Sequence, residues 1–277
     1  MVDTGTPHRD PERTLETTGF RPRPYVDIVT GWTRRYRMQA LGIVLGVIAW
    51  EIAGRAGISP ALPPFSAVAA AGIEVWSGER FLQAMRSTAV AIGIAFPPSV
   101  IIGVILGLLM GLLRPAEWIL RPYINLALSM PLVAIIPIIL LIFGLSQETI
   151  IVVIVLYVLP VVMVNTYSGV RSTSSDLLEM AASVNASRLL TIRRIVIPSA
   201  RGLTLAGLRI GVGRAITGGI VAEQIVGVMG IGGLVQRLGG AFAVEELYAV
   251  IIFIGAVGVI SLAAVNRIEE HYELPGA

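Results

Sequence analysis

Gln147–Val170 reads QETIIVVIVLYVLPVVMVNTYSGV, and after Glu148 no charged side chain occurs before Arg171. The stretch is about twice as long as the roughly 10 residues of a membrane-barrel strand. It lacks the apolar–polar alternation of a strand with one wet face, and it meets the ~20 apolar residues a helix needs to cross a hydrocarbon core about 30 Å thick. In lipid every backbone N–H and C=O must be bonded internally, which leaves helices and closed barrels as the spanning solutions. This stretch is therefore predicted to be a membrane-spanning helix.

Comparable apolar runs lie outward from it on both sides, near 38–56, 84–113, 118–144, 202–227 and 246–266. Together with 147–170 they make six predicted spans and an all-α, polytopic membrane protein. Composition agrees: of 277 residues 55% are hydrophobic and 14% charged, with a mean hydropathy of +0.80, which a compact water-soluble domain could not hide.

Basic residues in short loops set orientation. Arg9, Arg13, Arg21, Arg23, Arg34, Arg35 and Arg37 precede the first run; Arg114 and Arg121 flank the second loop; Arg171, Arg188, Arg193, Arg194 and Arg201 crowd the fourth. The alternate loops are poor in them, so both termini are expected in the cytoplasm and the chain in the inner (plasma) membrane, multi-pass. The expected division is a disordered, polar, Pro-rich tail over 1–37, a permease domain over 38–268 and a cytoplasmic tail over 269–277. The tail has no apolar core of a signal peptide, and Trp32 with its neighbouring arginines is expected to touch anionic lipid. The net charge of +3 expresses that surface bias and carries no argument for nucleic acid.

Absences exclude chemistry. The chain has no Cys, and its 21 basic residues are all Arg. Thiolate metal sites, disulfides, Schiff bases and a P-loop lysine are therefore impossible on it. His8 and His271 are too far apart in sequence to argue a metal site. No cofactor is expected on this chain, and any ATP-driven work needs another subunit. The segment GVMGIGG, Gly227–Gly233, follows a span rather than a strand. It is expected to be a tight turn or re-entrant segment, not a dinucleotide loop.

The fourth loop, expected over 171–201, is long and mixed: DLLEMAASVNASRLLTIRRIVIPSA from Asp176 to Ala200. Asp176 is expected to cap a first short helix, with Glu179 reaching back to it, and Leu177, Leu178, Ala181 and Ala182 to form its apolar side. Asn185 tolerates the left-handed backbone that ends a helix. Ser187 is expected to cap a second helix, which Pro198 would stop. An amphipathic pair resting on lipid is one reading; a helix–turn–helix docked in a groove of a partner protein is the other.

Glu179, Ala181, Asn185, Ile195, Ile197 and Pro198 stand at the spacing of the EAA loop of binding-protein-dependent ABC importer permeases: E-A-A, three residues, Gly, nine residues, I-x-L-P. Met180, Asn185 and Ile197 depart from it. The resemblance extends from about Trp50 to Glu270 through LPPFSAV, MRSTAVAIGIAFPPSVIIGVILGLLMGLLR, RPYINLALSMPLVAIIPIILLIFGLSQET and LRIGVGRAITGGIVAEQIVGVMGIGGLV. It is similar to the nitrate, sulfonate, taurine and bicarbonate branch of that family. The resemblance implies a loop inserted into an ATPase subunit that binds ATP and Mg, an extracytoplasmic binding protein and a second copy of this chain. The residues it assigns to coupling are Leu177, Leu178, Glu179, Ala181, Ala182, Asn185, Ile195 and Pro198.

Candidate path residues come from cost. Pro131 and Pro137 in the third run, and Pro97 and Pro98 in the second, remove backbone donors and kink or break helices, as in transporter helices that line a cavity. Asn125, Ser129, Asn165 and Thr166 either face such a path or bond between helices. At 1.5 Å per residue from Leu203, Arg214 falls close to the midplane and Glu223 close to the outer surface. Arg209 and Arg214, about 140° apart on a straight helix, are not expected to share one narrow seam. Gly230 and Gly232 are expected at an outer gate. A stand-alone ion-coupled carrier or channel using Arg214 and Glu223 is the rival to the importer; a membrane enzyme is the third reading, and the chain has almost no catalytic inventory for it.

Overall fold

The computed structural model describes residues 25–227 and 229–272, with side chains over 37–227 and 229–267. The expected tails therefore divide: 1–24 and 273–277 lie outside the described residues, whereas 25–37 and 269–272 belong to helices. The elements are α1 (Tyr25–Arg55), α2 (Phe65–Ser77), α3 (Glu79–Leu112), α4 (Arg114–Ser129), α5 (Leu132–Phe143), α6 (Gln147–Arg171), α7 (Ser175–Ser183), α8 (Arg188–Thr191), a π-helical turn (Ile192–Val196), α9 (Ile197–Val226), α10 (Gly230–Gly240) and α11 (Val244–Tyr272). No strand occurs among the described residues.

Five helical runs are long and apolar enough to cross a membrane, and a sixth is obtained when α4 and α5 count as one span bent by 103°. The bend has a local cause. Pro131 restricts the residue before it to extended backbone, and Met130 adopts φ −76°, ψ 132°. The helix stops at Ser129 and a new one begins after Pro131. Pro97 and Pro98 act differently, since α3 runs unbroken through both.

α6 is the centre of the fold. Val153, Ile154, Val158 and Val162 are fully buried, because α6 is clasped by α3 on one side and α9 on the other. The clasp is built from small residues. A Cβ on Gly107 of α3 would lie 2.6 Å from the Met163 carbonyl oxygen, and one on Gly207 of α9 would lie 2.6 Å from the Asn165 Cβ. Without an aqueous driving force between helices, such close backbone approach supplies the packing that holds a membrane bundle.

α1 is joined at one end. Trp50 Nε1 donates to the Pro63 carbonyl at 3.0 Å, and its ring meets Phe65 and Tyr248, each at 5.5 Å between centroids. Glu51 accepts from the Ser66 N–H and hydroxyl, both at 2.9 Å. The same end of the bundle is closed by Phe81, Ala84, Ile231, Leu234 and Val250, which join α3, α10 and α11.

Candidate functional site

Arg214 stands with its guanidinium carbon 4.8 Å from the centroid of the Tyr157 ring, a cation–π contact between α9 and α6. It makes no salt bridge among the described residues. Arg214 and Tyr157 together border two cavities. One, of about 120 Å³, is walled by Met130, Pro131 and Leu132 at the α4–α5 break. The other, of about 530 Å³, runs between α9 and α11 past Arg209, Thr217 and Asn266. Neither is lined by Asp or Glu. Pro131 and Arg214 thus meet at one cavity.

Arg209 and Arg214 both line the larger cavity, although their angular separation keeps them from sharing one narrow seam. The space is a broad groove rather than a seam. The polar residues of the central spans behave otherwise. Asn165 Nδ2 donates to the Val161 carbonyl at 2.8 Å, and Thr166 is fully buried, packed against Gly107. Neither lines the two cavities.

Glu223 lies where no water reaches it: the residue is fully buried. The Thr88 hydroxyl of α3 lies 2.7 and 2.9 Å from its two carboxyl oxygens, and the Gly232 N–H donates to one of them at 2.9 Å. The Ile231 N–H donates to the Thr88 hydroxyl at 2.9 Å. The Glu223 carboxyl group and the Thr88 hydroxyl thus each satisfy one of the otherwise orphaned first N–H groups of α10, as an N-cap does from within the helix's own sequence. Gly230 has φ +71°, and a Cβ there would run into the Glu223 carboxyl group; a Cβ on Gly232 would run into the Ile220 carbonyl. Glu223 was expected close to the outer surface, as a path or gate residue. It borders neither arginine cavity, and with Thr88 it fastens the start of α10 to α3 and α9.

At the opposite end of α9, α7 and α8 form the expected helix–turn–helix. Asn185 has φ 51°; the Ala186 N–H donates to Ala181 O at 2.9 Å and the Asn185 N–H to Ala182 O at 3.0 Å, the paired bonds of a Schellman turn. The Ser187 hydroxyl accepts from the Leu190 N–H at 3.3 Å. Two details differ. Ser174, not Asp176, holds the N-cap position of α7, with no side-chain cap bond, so the expected Asp176–Glu179 box does not form. Nor does Pro198 stop the second helix: Arg188–Val226 is one helical run. The π turn of Ile192–Val196 widens the spiral just before Pro198, which then sits in the first turn of α9, where its missing N–H costs least. Ala181 is buried within the chain, whereas Leu177, Leu178, Met180, Val184, Leu189 and Leu190 are exposed.

The sequence matches, over residues 99–273, the family described as binding-protein-dependent transport system inner membrane component. The chain belongs to that family. Among relatives of this permease, the formylaminopyrimidine transport permease protein ThiX of Halalkalibacterium halodurans is 28% identical over 223 residues, 80% of this chain and 89% of the relative. The taurine transport system permease protein TauC of Escherichia coli is 29% identical over 212 residues, 74% and 77% of the two chains. The fold is shared with the inward-facing MetNI methionine ABC transporter, at TM-score 0.61 and 16% identity over 70% of this chain and 97% of that one. It is shared also with a bacterial alginate ABC transporter in complex with its alginate-bound periplasmic protein, at TM-score 0.60 and 15% identity over 91% and 100%.

The matched region of the permease holds the broken span, both arginines, Glu223 and the helix–turn–helix. Thr88 lies before it. Sequence reasoning missed Thr88, Tyr157 and the exposed Met180, Val184, Leu189 and Leu190. Thr88 is one hydroxyl in a long apolar run, and nothing in local spacing couples it to residues more than a hundred positions away. The leucines on α8 were legible as apolar residues alternating with arginines.

Proposed function

We propose that this permease is the membrane subunit of an ATP-driven importer that carries a small anion, of the sulfonate, taurine or nitrate kind, into the cytoplasm by alternating access. The observation that carries the reading is the meeting of Arg214, Tyr157 and the Pro131 break at one cavity. An arginine without an acidic partner in a membrane-spanning helix is costly, and the first N–H groups of α5 add a positive helix end at the same place. A cavity with that field and no lining carboxylate suits a small anion. The relatives' names, taurine among them, agree with a small polar solute.

The chain forms no covalent bond in this scheme. ATP and Mg bind a separate ATPase subunit, which receives the helix–turn–helix with Leu177, Leu178, Ala182 and Glu179 at the contact, joined by Met180, Val184, Leu189 and Leu190. Ala181, Asn185, Ile195 and Pro198 shape that loop from within. A binding protein delivers solute at the α10 end, where Gly230, Gly232 and Glu223 hold the gate helix. Two copies of the chain enclose the path, and both termini lie in the cytoplasm.

The test is reconstitution with the ATPase and binding protein. Arg214→Leu is expected to lower taurine or sulfonate uptake about tenfold, equivalent to ~1.4 kcal/mol, while the ATPase still co-purifies. Uptake at the unaltered rate sinks the anion reading. Transport by the chain alone down an ion gradient would establish the carrier instead.

A further inference from the structure

At the α10 end of the bundle a second pair of arginines meets at one space. Arg80 of α3 and Arg237 of α10 border a cavity of about 220 Å³, completed by Gln83, Ala84 and Ser87 of α3 and by Met229 and Gly230. Arg80, Gln83 and Arg237 are exposed, whereas Ala84 and Gly230 are buried, so the guanidinium-bearing residues form the rim and small residues the floor. Positions 80, 83, 84 and 87 recur at helical spacing, which puts them on one face of α3 over about 10 Å. From the opposite wall, Arg237 Nη1 donates to the Gly227 carbonyl at 3.3 Å, which folds this side chain back toward the start of α10.

The charges around the cavity are one-sided. No Asp or Glu lines it, and Arg80 makes no salt bridge among the described residues. Two carboxyl groups lie close by, and both are engaged. Glu79 accepts from the Gln83 amide at 3.0 Å; Glu223, behind Gly230, is held by Thr88 and the Gly232 N–H. Like charges that share a cavity repel, and an oxyanion that accepts from both guanidinium groups removes that repulsion through charge-assisted hydrogen bonds.

We infer that this cavity is an outer station for the solute, binding the sulfonate or carboxylate head of a small anion before it reaches the Arg214 cavity. At 1.5 Å per residue along α9, Gly227 and Arg214 are about 20 Å apart, so the two arginine sites are separate. The inference rests on the reading of the solute as a small anion. Gly230 forms part of the floor and also packs on Glu223, so a bound anion sits against the corner where α10 is fastened. Exposed guanidinium groups are screened by salt, and binding weakens as ionic strength rises.

The chain has no cysteine, so Ser87→Cys places a single thiol in the cavity of the assembled permease–ATPase complex. Gln83→Cys at the rim serves if that variant fails to fold. Modification of the permease chain by anionic sulfonatoethyl methanethiosulfonate and by cationic trimethylammonioethyl methanethiosulfonate is followed by mass. The ratio of the two rates cancels any change in the thiol's own reactivity. It is expected to exceed, by about tenfold, the ratio for Ala61→Cys on the exposed loop between α1 and α2. Adding Arg80→Gln and Arg237→Gln should bring it back to that level. Ethanesulfonate, with no binding protein present, is expected to slow uncharged methyl methanethiosulfonate at Ser87→Cys saturably, by about threefold at twice its Kd; tetramethylammonium should not. A ratio unmoved by the two glutamine substitutions overturns the inference, as does the absence of protection by ethanesulfonate. Protection that comes only from solute-free binding protein would mean that a carboxylate of that partner fills the cavity, and overturns it too. Uptake plays no part in these readings, so their failure leaves the anion reading of Arg214 standing, and that reading fails on Arg214→Leu uptake alone.

Discussion

At the scale of single residues, Glu223 is the group whose sequence position misled. Its place near the end of a span put it close to the outer surface, but the structure buries it and surrounds it with two donors from other elements: the Thr88 hydroxyl and the Gly232 N–H. The roles of these two partners can be separated by substitution. Glu223→Gln keeps an acceptor for the Gly232 N–H and is expected to leave thermal stability of the purified complex nearly unchanged. Glu223→Ala strands buried donors at about 1–3 kcal/mol each and should lower the melting temperature by several degrees. If Gln and Ala melt alike, the hydrogen bonds do not hold α10. Gly232→Val meets a different obstacle, the Ile220 carbonyl. Overpacking of this kind costs about 1–3 kcal/mol or more, and protease should then cut near Met229 faster than in the parent. Unchanged cleavage would remove the close approach as a constraint.

At the scale of elements, the helix–turn–helix was legible because its signals are local. Asn185 and Ser187 each act within a few residues, and the left-handed turn and the cap are where the sequence put them. The π turn was not legible, since Pro198 reads as a stop unless the preceding turn widens. The bend between α4 and α5 was half-legible: Pro131 announced a break, while its 103° angle depends on packing against α6 and α9. Asn185→Gly is expected to preserve ATPase binding. Asn185→Val forces a β-branched residue into φ 51° at roughly 1–2 kcal/mol or more, and binding of the ATPase subunit, measured by co-purification, should weaken. Val at full binding strength would mean the turn does not present the contact. Leu189→Asp, on an exposed side chain, should reduce ATPase co-purification about tenfold while membrane insertion persists; unreduced recovery would move the contact off α8.

At the scale of the whole molecule, the six apolar runs were read from length and hydropathy alone, because the bilayer fixes how many residues a crossing takes. Which runs lie at the centre was not readable. α6 and α1 are both apolar, yet α6 is the buried axis and α1 is held by one end, and only the glycine seams on α3 and α9 distinguish them. The uninterrupted run from Arg188 to Val226 has a mechanical consequence. Its 39 residues amount to a rod about 58 Å long, with the exposed leucines of α8 at one tip and the buried carboxyl group of Glu223 near the other. Under the proposed coupling, a push applied at the first tip would travel as displacement to the second, and the wide turn at Ile192–Val196 would be the joint where stroke is lost to bending. Under that proposal Arg188–Val226 would serve as a crank as well as a membrane crossing, and stiffness at the joint would set how much of a stroke delivered at α8 reaches the Glu223 end.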